Sequence, residues 1–407
     1  MSTAEGATPA AAGTEEGSST RSQVVRRFVQ GDLASLRVVL GLVVIWLIFQ
    51  SQNDRFLTAE NLTNLMLQIT AVGLISIGIV YVLLLGEIDL SVGAVSGLAA
   101  AVMTVLNVNH GWSPYLAIVA GILVGTAIGL LQGTLFSRFA VPSFVVTLAG
   151  LLAWQGALLQ VLGSTGSINI NDPKITGLAN TFYSDAVGWV IAAVIVAAYA
   201  GVVLSSHRSR VAHGLTAGEG LAPLAVRIVL VALVTIVAVA ILNSDRGVPL
   251  ALLILLAFVV GFEYVARRTR FGRHVYAVGG SAEAARRAGI GVNRIRIVVF
   301  GIAGTMAAIG GIMAASRLLA VNQSSGGSEL LLLAIAGPVI AGTSLFGGRG
   351  AVWTALLGAL VIGSISNGMD LLALSSAVKF MVTGGVLLLA VIVDAIARQQ
   401  RQAAGRV

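Results

Sequence analysis

The sequence predicts an all-α polytopic membrane bundle of about twelve spans, within a range of 10–12, with both termini cytoplasmic. Three observations carry that prediction. Of 407 residues, 57% are hydrophobic and only 10% charged, where a soluble domain carries roughly 25% charged residues. Apolar runs recur along the chain, and about twelve spans of about 20 residues each leave room for loops and tails but for no large soluble domain. Basic residues gather in every second loop, as orientation in a bilayer requires.

The elements follow in order. Residues 1–32 are rich in Ala, Gly, Ser and Thr and then basic (Arg21, Arg26, Arg27), which reads as a disordered cytoplasmic tail and not a signal peptide. A transmembrane domain spans 33–395, and 396–407 form a second cytoplasmic tail. The apolar runs cover 33–49, 62–85, 90–106, 115–136, 144–162, 186–204, 221–242, 250–264, 295–315, 330–346, 351–366 and 378–395. With the N-terminus inside, alternation puts 20 of the 25 Lys and Arg residues on the inner side. Only Arg55, Lys174, Arg246, Arg317 and Lys379 fall outside. The 49 glycines suit close helix packing in lipid.

Composition also excludes functions. Cysteine is absent, so there is no disulfide framework, thiolate metal site or catalytic thiol. The four histidines (His110, His207, His213, His274) lack metal-ligand spacing, and neither lysine sits in a phosphate-binding loop. No cofactor is expected in this chain, and any use of ATP has to come from a partner. The net charge of +8 resides at the ends of apolar runs, which sets topology and does not indicate nucleic-acid binding.

Four segments carry candidate mechanism. In the inner loop 267–296, Gly279-Gly280 is expected to break the chain and Ser281 to cap a helix of about two turns. Glu283 suits its first turn, and Gly289 ends it. Ala284, Ala285 and Ala288 allow close approach to another surface, and Arg286 and Arg287 offer bidentate contacts to carboxylates. The second segment, 86–93, places Glu87 and Asp89 between two apolar runs, with Gly86 and Gly93 on either side. Acids at such a boundary are functional candidates, and a break between half-helices supplies backbone groups to polar cargo; Asp89 or Ser91 is competent to cap the following helix. In the third, Pro142 fixes the entry and Ser143 is expected to cap a helix containing Thr147 and Gly150. The fourth, with Gly347, Gly348 and Gly350, turns sharply between two runs, and its apolar–glycine–apolar order echoes the Glu87 region as two related halves. Polar residues inside apolar runs (Asn64, Gln68, Gln132, Thr147, Gln155, Ser364, Asn367) line a path or bond between helices.

The spacing of Glu283, Ala284, Ala285 and Gly289 resembles the EAA loop of ABC importer permeases. The stretches Gly86 to Gly93 and Val141 to Gly150 resemble signatures of their ribose/xylose/galactose branch, over about residues 61–394. The inner loop 205–220 and the outer turn 243–249 resemble its xylose subgroup. The resemblance implies a monosaccharide importer, for D-xylose first, in a bacterial inner membrane. It implies two permease copies, a separate subunit that binds ATP and Mg, and an extracytoplasmic sugar-binding protein, with no covalent chemistry in the permease. Coupling would fall to Glu283, Ala284, Ala285, Arg286, Arg287 and Gly289. The gate or path would fall to Glu87, Asp89, Ser91, Gly93, Gln68, Gln155, Trp154, Asn367, Gly347 and Gly348. The segment around Leu331, with Glu329, Pro338 and Ala341, departs from that branch. An ion-coupled secondary sugar transporter is the alternative; it would need a titratable residue deep in a helix.

Overall fold

The computed structural model describes residues 38–214 and 221–403. The expected tail 1–32, the end of the inner loop 205–220 and residues 404–407 lie outside the described residues.

Each of the twelve apolar runs is helical where it is described. They form α1 (Val38–Gln52), α2 (Ala59–Leu84), α3 (Val92–Val108), α4 (Pro114–Phe139) and α5 (Ser143–Leu162). The short α6 (Pro173–Asn180) precedes α7 (Asp185–Ala212), α8 (Ala222–Asn243) and α9 (Leu250–Arg268). After α10 (Arg270–Gly280) and α11 (Ala282–Arg287) come α12 (Val292–Leu318), α13 (Ser328–Ile340), α14 (Trp353–Leu371) and α15 (Ser376–Ala403). Eight of these are long and apolar enough to cross a membrane, while α1, α3, α13 and the apolar part of α15 are shorter. The run 330–346 yields only a 13-residue helix, and α7 continues through much of the expected inner loop.

α2 and α12 run antiparallel through the centre. α2 is apolar on all sides and buried without interruption from Ile69 to Leu84, as an all-round hydrophobic helix must be. α4 packs on α12 through Gly125, Gly129 and Gly133 and on α3 through Gly121, a four-residue spacing that puts all four on one face. A methyl added to Gly133 would come within 2.9 Å of Ile297 Cα, and one on Gly129 would collide with the Phe300 carbonyl. In lipid no hydrophobic force draws two helices together, so backbone approach of this kind supplies the packing. The α7–α8 hairpin lies at the periphery, with Val190, Val194, Val229, Leu233 and Val234 exposed.

Loops expected on one side gather at one end. Two short ribbons join the expected outer loops: β1 (Ser167–Asn169) pairs antiparallel with β4 (Ala320–Asn322), and β2 (Phe182–Tyr183) with β3 (Val248–Pro249). At the arginine-rich end, Gly348 N donates to the Leu84 carbonyl at 2.9 Å and Tyr276 Oη to the Gly350 carbonyl at 2.9 Å.

Gly129→Val should cost about 1–3 kcal/mol by overpacking the α4–α12 seam. Gly201→Val on α7, where an added methyl meets nothing within 4 Å, should stay within about 0.5 kcal/mol of the parent. Thermal unfolding in detergent micelles measures both.

Candidate functional site

Three loops meet at the arginine-rich end, and the first re-enters the bundle. α2 ends at Leu84, and Gly86 turns the chain at φ +75°. Ser96, one turn into α3, lies against Gly311, next to Gly310, which itself packs on Ile75. The chain has therefore climbed back from Leu84 toward the level of Ile75 without a helix between Leu84 and Val92, with Asp89 and Ser91 buried while Gly86 and Ile88 are exposed. The backbone of this segment needs partners where it is buried. Ser143 Oγ accepts from Ile88 N at a long 3.4 Å, and Thr147 Oγ1 reaches the Ile88 carbonyl, also at 3.4 Å. Ser143 was expected to cap α5; it does not, because its hydroxyl serves the neighbouring segment. Nor does Asp89 or Ser91 cap α3. Instead Asp89 Oδ1 accepts from Ser91 N at 2.8 Å and from Ser91 Oγ at 2.7 Å, closing a turn of its own.

Glu87 pairs with Arg296 at 2.8 Å, with both side chains largely buried, and the guanidinium lies 5.7 Å from the centre of the Phe136 ring. This ties the re-entrant segment to the foot of α12. Asp89 is 3% exposed. A carboxyl taken out of water needs hydrogen-bond partners inside the protein, and the two Ser91 donors meet that need. Asp89 also borders a cavity of about 180 Å³ lined by Ile79, Val82, Leu332, Ile335 and Leu345.

The second loop holds α10 and α11. Gly279 and Gly280 do not break the chain: they are the last turn of α10, and the break falls at Ser281, whose φ of −162° is extended. Ser281 Oγ accepts from Ala284 N at 3.2 Å, so the expected cap forms. Gly289, at φ +81°, follows the end of α11. Ala285 is buried, while Glu283 faces solvent and bridges Arg286 at 3.1 Å and Arg287 at 3.2 Å. The arginines thus answer a carboxylate of their own helix. α10 was not foreseen; Phe271, Val275 and Val278 form its apolar stripe, and Gly279 rests against Leu84. Burial pushes the Tyr276 phenol up, against the pull of Arg267 nearby.

The third loop is the glycine turn, with Gly347 at φ +84° and Gly348 at φ +71°. The Gly350 carbonyl accepts from Tyr276 Oη at 2.9 Å and from Arg267 Nη2 at 3.0 Å. Glu263, on α9, accepts from Val352 N at 2.7 Å and from Arg267 Nε at 3.2 Å. Neither Glu263 nor Tyr276 was read from the sequence, because Val352 and Gly350, which they bond on the glycine turn, are remote in the chain.

The counterpart of the Glu87 break is not this glycine turn, as the two-halves reading had it. It is the segment 319–327 between α12 and α13. There too a long buried helix is followed by a break and a short helix. The breaks touch: a methyl on Gly93 would lie 2.7 Å from the Gly326 carbonyl and 3.2 Å from Leu331 Cβ. Beside that contact is a cavity of about 360 Å³ lined by Gln68, Ser96, Arg317, Asn322, Ser324 and Glu329.

The other polar candidates are placed differently. Asn367 and Asn61 exchange amide hydrogen bonds at 2.8 and 3.0 Å, clamping α14 to α2. Ser364 accepts from Trp46 Nε1 at 2.9 Å, Asn64 from Arg246 at 2.6 Å, and Gln155 donates to the Gln323 carbonyl at 3.0 Å. Trp154 sits partly buried on α5 near Gln132.

The family model described as branched-chain amino acid transport system / permease component matches residues 61–391, which include all three loops. The xylose transport system permease protein XylH of Escherichia coli is 36% identical over 364 residues, 89% of this chain and 92% of that protein. XylH of Haemophilus influenzae is 34% identical, over 88% of this chain and 95% of its own. The ribose import permease protein RbsC of Bacillus subtilis is 31% identical, over 89% and 94%. No solved structure matches the chain.

Glu87→Ala should destabilise by about 1–3 kcal/mol, since it leaves Arg296 largely buried and unpaired. The double change Glu87→Ala, Arg296→Met should recover most of that loss, and a double-mutant cycle by thermal unfolding reads the coupling.

Proposed function

The chain belongs to the family of permease components of ATP-driven importers, and from that premise we propose that it is the membrane subunit of a monosaccharide importer, with D-xylose as the first substrate to test. One observation carries the reading. A short, capped and exposed helix, α11, stands next in the chain to α10, and α10 is bonded to the glycine turn through Tyr276 and packs on Leu84, the last residue of α2, through Gly279. A push on α11 therefore bears, through α10, on the glycine turn and on the end of α2 from which the re-entrant segment leaves.

In this reading Glu283, Ala284, Arg286 and Arg287 present the docking face to a separate ATP-binding subunit, and buried Ala285 roots it. ATP and Mg bind on that subunit. The ribbon end receives sugar from an extracytoplasmic binding protein, two permease copies assemble, and the complex sits in a bacterial inner membrane. This chain's own work is to open and close a path. Hydroxyls of a neutral sugar need donors and acceptors, which Gln68, Asn322 and Ser324 offer at the larger cavity. An ion-coupled mechanism has less to build on: Glu87 is held by Arg296, and Asp89 sits at a turn and not within a helix.

Reconstitution in vesicles with a cassette ATPase should give ATP-dependent pentose uptake, and the chain alone should give none under a proton gradient. Uptake driven by the gradient alone would overturn the proposal. Glu283→Ala removes only exposed ion pairs, worth at most about 1 kcal/mol together. It should leave stability unchanged while lowering association with the ATPase. Gly289→Leu, strained at a positive φ, should do the same with an added stability cost of about 1 kcal/mol.

A further inference from the structure

The hydrogen-bond valence around Ser91 and Gln132 carries an assignment beyond the three loops. Ser91 Oγ lies 2.7 Å from Asp89 Oδ1 and 3.0 Å from the Gln132 Oε1 position. A serine hydroxyl has one hydrogen, and Asp89 takes it. Two oxygens with no hydrogen between them do not attract, so the Gln132 group facing Ser91 has to be a donor. At the other end of the same amide, the Nε2 position and Trp154 Nε1 are both buried without a partner. They are close neighbours. A methyl on Gly150 would overlap the first and reach the second at 3.0 Å. An indole nitrogen can only donate, so it needs an acceptor there. Reversing the amide ends, which moves no backbone and barely alters shape, gives Ser91 a donor and puts the amide oxygen on the side of Trp154 Nε1.

We propose that Gln132 is the positioning residue of the re-entrant segment: its amide nitrogen donates to Ser91 Oγ and its amide oxygen accepts from Trp154 Nε1. One hydrogen-bonded line then runs from Trp154 on α5, through Gln132 on α4 and Ser91, to Asp89. Gly150, in the stretch 141–150, is the residue that leaves room for it. α5 consequently holds the segment at three levels, through Ser143, Thr147 and Trp154, while Arg296 holds Glu87 from α12. A displacement at the foot of α12 reaches α5 through bonded groups.

The test is Gln132→Glu beside Gln132→Met, each measured against the parent by thermal unfolding of the whole chain in detergent. The ionisable groups facing position 132 are Asp89 and, beyond it, the Glu87–Arg296 pair; the face of α5 from Ser143 to Gln155 carries none. A protonated carboxylic acid at this position donates to Ser91 and accepts from Trp154, as the amide does. An ionised one only accepts, and meets the Ser91 oxygen without a hydrogen. The buried site therefore holds the introduced carboxyl protonated, so the stability it contributes is present at low pH and lost as pH rises through its native pKa. Gln132→Glu should come closest to the parent below about pH 4, lose stability as pH rises above the unfolded-chain value of about 4.3, and lie below the parent at about pH 8, whereas Gln132→Met should show the same deficit throughout. A Gln132→Glu variant as stable as the parent at about pH 8 would overturn the assignment, because an amide oxygen facing Ser91 would be replaced there by a carboxylate without loss. The indole N–H resonance that disappears in Trp154→Phe should also shift in Gln132→Met; an unmoved resonance counts against the bond. In the reconstituted complex, where the expectation rests on the transport reading, Gln132→Glu should keep ATPase activity while pentose uptake falls several-fold at the higher pH and recovers at the lower. Failure of the parent complex to transport bears on that reading alone, since the stability and resonance measurements use this chain by itself.

Discussion

A polypeptide that interrupts a helix inside a membrane bundle has to satisfy the freed backbone groups from the protein itself. That constraint explains more of this structure than any single charge pair does. At the break before α3, Gly86 N and Glu87 N donate back to Leu83 and Val82 carbonyls, Ile88 is served by Ser143 and Thr147, and Ser91 N by Asp89. At the break before α13 the solution is the same in kind. Asn322 Oδ1 accepts from Ser324 N at 2.9 Å, Ser325 Oγ from Asn322 N at 3.0 Å, and the first ribbon supplies Gly166 to Gln323 N. Short polar side chains close each turn, and a neighbouring element completes it.

The same need explains where the small residues lie. A segment that leaves the helical path requires its neighbours to come near enough to bond, and a side chain in between would hold them apart. Gly93, Gly97 and Gly326 let the two breaks lie backbone to backbone, and the α4 glycines bring Gln132 within reach of Ser91 by seating α4 against α12. Dispersion from close backbone approach at these glycines adds to that of the large aliphatic side chains buried along α2.

What the sequence disclosed and what it hid follow from the range over which each interaction acts. Hydropathy is read residue by residue, and all twelve apolar runs became helices. The cap at Ser281 and the stop at Gly289 depend on three or four neighbouring residues, and both formed. α10 escaped notice because its polar face carries Arg270, Arg273 and His274, which lowers the mean hydropathy; the Phe271–Val275–Val278 spacing was the available signal. The roles of Ser143 and Asp89 were misassigned because local chemistry permits a cap, and only the third dimension offers a competing partner. Arg296 and Tyr276 find their partners across the fold, as Glu263 does Val352, where no spacing rule reaches; only its pairing with Arg267 follows the four-residue spacing of a helix. The ribbons, two or three residues long, are below what alternation can show.

The two breaks differ in what holds them, and the difference bears on motion. The one before α13 is bound to ribbon β1–β4 and to Gln155, all at the end away from the arginines. The one before α3 is bound to α12 through Arg296 and to α5 through hydroxyls and an amide. Packed interiors change by discrete repacking and not by continuous deformation. α2 and α12 are continuous and buried, so they cannot shift without breaking the core. The seam at Gly93 and Gly326 has no interlocking side chains, and its backbone contacts can slide. In the proposed transport cycle, α3 and α13 are therefore the elements whose contacts allow movement against that fixed pair.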